Sequence, residues 1–130
     1  MPETFHLDLV TPEKPLFSGP VLELVAPGIL GEFGVLPGHA NLLAELGVGR
    51  LRYRTESGER TLAASGGFAE VTGQKVTVLL DHAVYADEMD RDALQKEIML
   101  LQSDPPPPED PQFAEWQKNL SWKRACLDVL

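Results

Sequence analysis

From Phe5 to Leu80 the chain is a series of short, roughly alternating apolar runs cut by turn residues, the pattern of an antiparallel sandwich or barrel. Phe5, Leu7 and Leu9 fall on one side of the first run, with His6 and Asp8 on the other. Pro12, Pro15 and Gly19 interrupt the chain before Val21 to Val25 resumes it, and Pro27-Gly28 stops it again. Leu51 and Tyr53 alternate with Arg50, Arg52 and Arg54, so one face of that run is core and the other a solvated cationic face. Glu56-Ser57-Gly58-Glu59 and Thr72-Gly73-Gln74-Lys75 read as hairpin turns, the second leading into Val76 to Leu80. Gly31-Glu32-Phe33-Gly34-Val35-Leu36-Pro37-Gly38-His39-Ala40 brackets one carboxylate and one imidazole with three glycines and a proline, and reads as an exposed loop of tight turns.

After Asp87 β-branched residues almost vanish and apolar positions recur at helical spacing. Met89, Ala93 and Leu100, with Leu94, Ile98 and Leu101 beside them, form one broad stripe. Asp87 suits the cap of that helix, and Asp90 and Asp92 its positive end. Pro105 to Pro108 cannot continue a helix and favour an extended, semi-rigid connector, placing a linker over residues 104–111. Asp110-Pro111 restarts the helical pattern, with Phe113, Trp116, Leu120 and Leu127 on one stripe and Trp122, Cys126 and Val129 on its neighbour. The expected fold class is therefore α+β: an N-terminal flattened antiparallel β-sandwich over 1–86 and a C-terminal α-helical hairpin over 87–130. Two short helices are marginal in water, so the hairpin must pack on the sandwich or on another protein.

The 130 residues carry 11 Lys plus Arg against 20 Asp plus Glu, a net charge of −9 that repels phosphate backbones and anionic lipid. Nucleic acid is not an expected partner. Met1 to Val10 lacks the basic patch and apolar run of a signal peptide, and no apolar window approaches the length of a membrane span. Direct membrane insertion is not expected. The single cysteine, Cys126, reads as a small buried apolar residue, in keeping with a reducing compartment.

The search for chemistry finds little. Gly28, Gly31 and Gly34 lack the spacing of a dinucleotide loop and the Gly-Lys-Ser/Thr ending of a P-loop. Ser65-Gly66-Gly67 lacks the preceding glycine of a nucleophile elbow, having Ala63 there. His6, His39 and His82 are scattered, with no spacing that puts two imidazoles on one metal. Asp81 and His82 are strand neighbours that point to opposite faces. No catalytic residue, metal or cofactor is expected, and Glu32 read alone is an exposed charge.

Leu9-Val10-Thr11-Pro12, Phe17-Ser18-Gly19, Gly31 to Ala40, Ser65 to Val71 and Val76-Thr77-Val78-Leu79 are similar, in order and at compatible spacing, to the epsilon subunit family of the F-type ATP synthase, called delta in mitochondria. The resemblance covers residues 5 to 86 and implies a flattened sandwich of about ten strands followed by a helical hairpin. It also implies a non-catalytic rotor component, wedged between the gamma subunit and the polar loops of the membrane c-ring. Carried over by position, Glu32, Phe33 and Gly34 would touch the c-ring loops, and Thr11, His39, Ala44 and Ser65 would face gamma. The hairpin would regulate, inhibiting ATP hydrolysis when extended into the catalytic alpha/beta head, where Lys118, Lys123 and Arg124 would meet an acidic surface. The implied location is peripheral, on the cytoplasmic face of a bacterial plasma membrane. The alternative is a free-standing β-sandwich adaptor outside the synthase.

One departure bears on ligands. Family members that bind ATP on the hairpin carry Ile/Leu-Asp-x-x-Arg-Ala, whereas here Met89-Asp90-Arg91-Asp92-Ala93-Leu94 moves the arginine by two residues, about 200° around a helix. ATP binding by this chain alone is not expected.

Overall fold

The computed structural model describes residues 3–130. Its strands are β1 (Phe5–Val10), β2 (Pro15–Val21), β3 (Glu23–Gly28), β4 (Gly31–Val35), β5 (Leu42–Glu45), β6 (Val48–Thr55), β7 (Gly58–Thr72) and β8 (Lys75–Tyr85). A 3-10 turn at Ala86–Glu88 leads to helices α1 (Arg91–Ser103) and α2 (Phe113–Val129).

The strands hydrogen-bond in the order β2-β1-β8-β7-β6-β3-β4. β8 flanks β7 from Leu62 to Thr72, but the other edge of β7 takes β6 over Gly58–Ser65 and β5 over Phe68–Val71. Gly66 (φ +68°) and Gly67 (φ +114°) sit at the changeover, where the backbone needs the left-handed region. A Cβ on Gly67 would lie 2.8 Å from the Leu79 carbonyl carbon and 3.0 Å from Leu80 Cα, so glycine alone lets β7 and β8 close there. The kinked β7 serves both halves of the sandwich. Such through-running strands give eight elements in place of the ten that the resemblance implies.

The sandwich is not wholly antiparallel. β1 runs parallel to β8, with Leu7 opposite Val76 and Leu9 opposite Val78. The β1–β2 and β7–β8 hairpins bring β1 and β8 together in the same direction, a pairing that alternation along the sequence does not encode.

Two prolines expected to break strands, Pro15 and Pro27, lie inside them. Pro15 belongs with Pro20 to β2, an edge strand at one end of the order, where a missing N–H spoils no ladder. Pro27-Gly28 closes β3 instead of ending the run before it, with Pro27 opposite Glu32. The segment expected as a loop is half strand: Gly31–Val35 is β4, and only residues 36–41 are loop. The two anticipated hairpins are present, with Thr55 opposite Gly58 and Thr72 opposite Lys75.

Inward side chains of both halves form one core that includes Phe5, Leu7, Leu9, Leu51, Tyr53 and Leu62. The Tyr53 and Tyr85 hydroxyls are 2.7 Å apart, and Tyr85 donates onward to the Leu16 carbonyl at 3.4 Å. Burial, and then the Tyr85 hydroxyl, push the Tyr53 phenol far above its ordinary value.

Asp90, not Asp87, caps α1, its carboxylate accepting from the Asp92 and Ala93 N–H groups. Asp87 lies in the preceding turn and pairs with Arg60 at 3.4 Å. The expected broad stripe is only half buried: Leu94 and Ile98 face inward and Met89 packs beside Leu94, while Ala93 and Leu100 are exposed. α1 packs on only one side, so half of a wide apolar stripe finds no neighbour. α2 begins at Phe113, three residues after Asp110, whose carboxylate accepts from Gln112 N–H at 2.8 Å.

Candidate functional site

Glu32, Phe33 and Gly34 lie on β4, the last strand of the order, paired through the β3–β4 hairpin to Pro27, Ala26 and Val25. The Phe33 ring covers Gly28, where a Cβ would be 3.0 Å from it and 2.7 Å from the Gly31 carbonyl oxygen. Strand alternation puts Glu32 and Gly34 on the opposite face, where both are exposed. Beside them the turn presents Ile29, 55% exposed, and Leu30, 99% exposed, with Leu36 nearby in sequence at 55%. Glu32 is thus a carboxylate beside exposed apolar side chains at the tip of the β3–β4 hairpin. Sequence reasoning missed Ile29 and Leu30, although an Ile-Leu pair inside a glycine-bounded turn, with nowhere to bury, is the available signal.

The four positions ascribed to a gamma contact lie on different elements of the sandwich. Thr11 closes the β1–β2 turn, where its hydroxyl and N–H both meet Lys14. It shares a cleft of about 580 Å³ with Glu45, Gly66, Phe68 and Leu79. Ala44, opposite Ala69 on β7, lies next to that cleft. Phe68 and Leu79 face each other across the strands, both half-exposed. His39 stands apart in the loop after β4, its Nδ1 donating to the Ala40 carbonyl at 2.6 Å. Ser65, opposite His82, opens onto a second cleft of about 1610 Å³ beneath α2, walled by Trp116, Trp122 and the proline linker and meeting the first at Asp81.

The three hairpin cations also diverge. Lys118 and Arg124 are exposed, but Lys123 is engaged with Glu97 of α1 at 2.7 Å. At 100° per residue Lys118 and Lys123 are about 140° apart around α2, so the three do not form one basic face.

A polar cluster was not foreseen. On the outer face of β1 and β2, Ser18 Oγ donates to Asp8 Oδ1 at 2.6 Å, and His6 Nε2 lies 3.0 Å from the same oxygen and 3.2 Å from Ser18 Oγ. Lys75 Nζ approaches the other carboxylate oxygen at 3.5 Å. The Ser18 hydrogen bond, then that of His6, holds the Asp8 carboxyl below its usual range. One imidazole nitrogen faces both partners and the hydroxyl points at the carboxylate, so no base is poised to activate the serine. The cluster arises from the register that sets Asp8 opposite Ser18 and His6 opposite Lys75, which no linear motif reports.

Residues 4–86 match the family model described as the ATP synthase delta/epsilon chain, beta-sandwich domain. The chain belongs to the ATP synthase delta/epsilon family. This family member is similar to the ATP synthase epsilon chain of Geotalea uraniireducens, 48% identical over 90 residues that span 69% of this chain and 65% of that one. It is also similar to the epsilon chain of Citrifermentans bemidjiense, 38% identical over 131 residues, 99% of this chain and 94% of that one. In structure it resembles a chain of the Euglena gracilis mitochondrial ATP synthase, solved with OSCP, F1 and the c-ring: TM-score 0.83, 26% identity, 96% of this chain and 80% of that one. A chain of the Tetrahymena thermophila mitochondrial ATP synthase central stalk and c-ring shares the fold at TM-score 0.58 and 16% identity, covering 95% and 91%. Among the described residues no helix is long and apolar enough to cross a membrane.

Proposed function

We propose that this chain is a non-catalytic rotor subunit of the central stalk, coupling gamma to the c-ring, with a C-terminal hairpin that restrains ATP hydrolysis. The observation that carries the reading is the likeness to a chain from an F1/c-ring assembly over 96% of this chain, sandwich and hairpin together. Residues 1–86 form the coupling unit and 87–130 the regulatory one. The β3–β4 end, with Glu32, Phe33 and Gly34 beside Leu30, suits the c-ring loops, because a carboxylate pairs with a basic or amide side chain there while the apolar tip is covered. Thr11, Ala44 and the exposed Phe68 and Leu79 suit a gamma surface, to which His39 also belongs. Ser65 reaches gamma only where α2 moves off the sandwich, because it opens onto the cleft beneath that helix. Lys118, Arg124 and, once Glu97 releases it, Lys123 meet the acidic surface of the catalytic head. In this reading the chain sits peripherally, through the complex, on the cytoplasmic face of a bacterial plasma membrane.

The test is reconstitution. Added to a catalytic head that contains gamma but lacks its epsilon chain, this protein binds and lowers ATP hydrolysis, whereas the chain ending at Asp87 binds without lowering it. No binding, or ATP turnover by the isolated chain, defeats the reading.

A further inference from the structure

The two ends of the strand order are guarded differently. β2, at one end, carries Pro15 and Pro20, which deny a further strand its hydrogen bonds. β4, at the other end, has no proline, no lysine and no bulge, and among the described residues no strand borders its outer side. An open row of backbone donors and acceptors of this kind is a template for one more strand.

Which groups of β4 are free follows from its neighbour β3. Pro27 has no N–H, and its carbonyl accepts from the Gly47 N–H just before β6, so Pro27 bonds away from β4. Bonding direction alternates along an antiparallel strand, so Leu24, Ala26 and Gly28 are the residues of β3 that bond Val35, Phe33 and Gly31. The N–H and C=O groups of Glu32 and Gly34 therefore point out from the free edge, and both residues are exposed.

A second copy of the chain matches this edge. Antiparallel pairing about a two-fold axis at Phe33 sets Glu32 of each copy opposite Gly34 of the other, and each of these pairs exchanges both of its outward backbone bonds. Glu32, the one charged residue of β4, then faces a glycine and never its own copy, so no like charges stand opposite. Leu30, 99% exposed in the turn before the strand, and Leu36, 55% exposed just after it, lie at equal distances from Phe33 along the chain. The same register carries Leu30 of each copy toward Leu36 of the other and covers apolar surface at both ends of the added ladder.

We propose that the free chain forms a two-fold dimer by adding β4 of one copy to β4 of another, in the register that sets Glu32 against Gly34. The dimer goes beyond the rotor-subunit reading but uses the edge that this reading gives to the c-ring, so the two associations exclude each other. Its test uses the isolated full-length chain, and failure there leaves the reconstitution result standing. One short edge falls below the roughly 1,200 Å² of a stable complex, and two chains of net charge −9 repel, so the dissociation constant is on the order of 100 μM and falls as salt screens the repulsion.

Sedimentation equilibrium of the full-length chain reads the dimer, and position 34 discriminates its register. Gly34 is not at positive φ, and beyond its chain neighbours the nearest atom to an added Cβ is the Leu24 carbonyl oxygen at 3.9 Å, so side chains fit there without disturbing the fold. Relative to Gly34→Ala, Gly34→Lys is expected to tighten dimerisation about fivefold by facing Glu32 of the second copy, and Gly34→Glu to weaken it by about as much. Adding Glu32→Lys to Gly34→Glu is expected to restore the tighter dimer. Gly34→Pro removes an outward N–H while sparing the β3–β4 bonds, and is expected to leave a monomer with an unchanged circular dichroism spectrum. The proposal is overturned if the native chain stays monomeric up to about 1 mM, if lysine and glutamate at position 34 act in the same direction, or if a dimer forms that Gly34→Pro leaves intact.

Discussion

At the scale of single residues, Gly67 is the position on which the sandwich turns. Its φ of +114° and the backbone of Leu79 and Leu80 leave no room for a Cβ, so Gly67→Ala combines left-handed strain with a steric clash that backbone must move to relieve. A loss of at least about 2 kcal/mol in urea unfolding is expected. Gly73, also at positive φ, has open space around it, so alanine there meets the strain alone and costs less.

Tyr53 gives a second test of this scale. Removing its hydroxyl deletes a buried hydrogen bond while Tyr85 keeps Leu16, so Tyr53→Phe is expected to cost about 1 kcal/mol at neutral pH. Because burial raises the folded-state value above the ordinary 10.0, the stabilising contribution is complete below pH 10 and is lost as pH rises through the folded value. Thermal melts should therefore fall more steeply above pH 10 for the native chain than for Tyr53→Phe. Cys126, pushed up mainly by burial, acts with the same sign, and both chains retain it.

At the scale of elements, propensity and cap chemistry locate the helices better than they locate the caps. Asp87, Asp90 and Asp92 all carry a carboxylate suited to an N-terminus, and only the backbone shows that Asp90 does the capping while Asp87 answers Arg60. Asp90→Ala is expected to cost about 1 kcal/mol, visible as faster amide exchange in the first turn of α1. The strands carry the same lesson. Alternation in β1 identifies Phe5, Leu7 and Leu9 as inward, and they are buried. Pro15, read as a break, is compatible with the edge strand β2, because which strand is an edge depends on the order of pairing.

At the scale of the molecule, every residue of the main core lies in or between the strands, and neither helix contributes to it. The chain ending at Asp87 is therefore expected to remain folded and to melt cooperatively, with Ala63 newly exposed; a chain that loses its near-ultraviolet dichroism on truncation would show that the hairpin is needed for folding. Exposed apolar side chains stand where partners are proposed: Ile29 and Leu30 at the β3–β4 turn, and Phe68 and Leu79 at the cleft of Thr11. Met99 and Leu100 are exposed on α1, and nothing among the described residues covers them.

The amino-acid sequence alone determined the two kinds of structure in this chain, the inward residues of the first strand, both tight hairpins, and the family to which its motifs point, because each rests on periodicity, turn chemistry or ordered motifs within a few residues of one another. Pairing across the fold was left to the tertiary structure. It decided the parallel β1–β8 contact, the kinked β7 shared by both halves, the Ser18-His6-Asp8 cluster, and the pairing of Lys123 with Glu97. Each of these depends on which residues distant in the chain come to face one another, and that is settled by closing a single core, not by any local pattern.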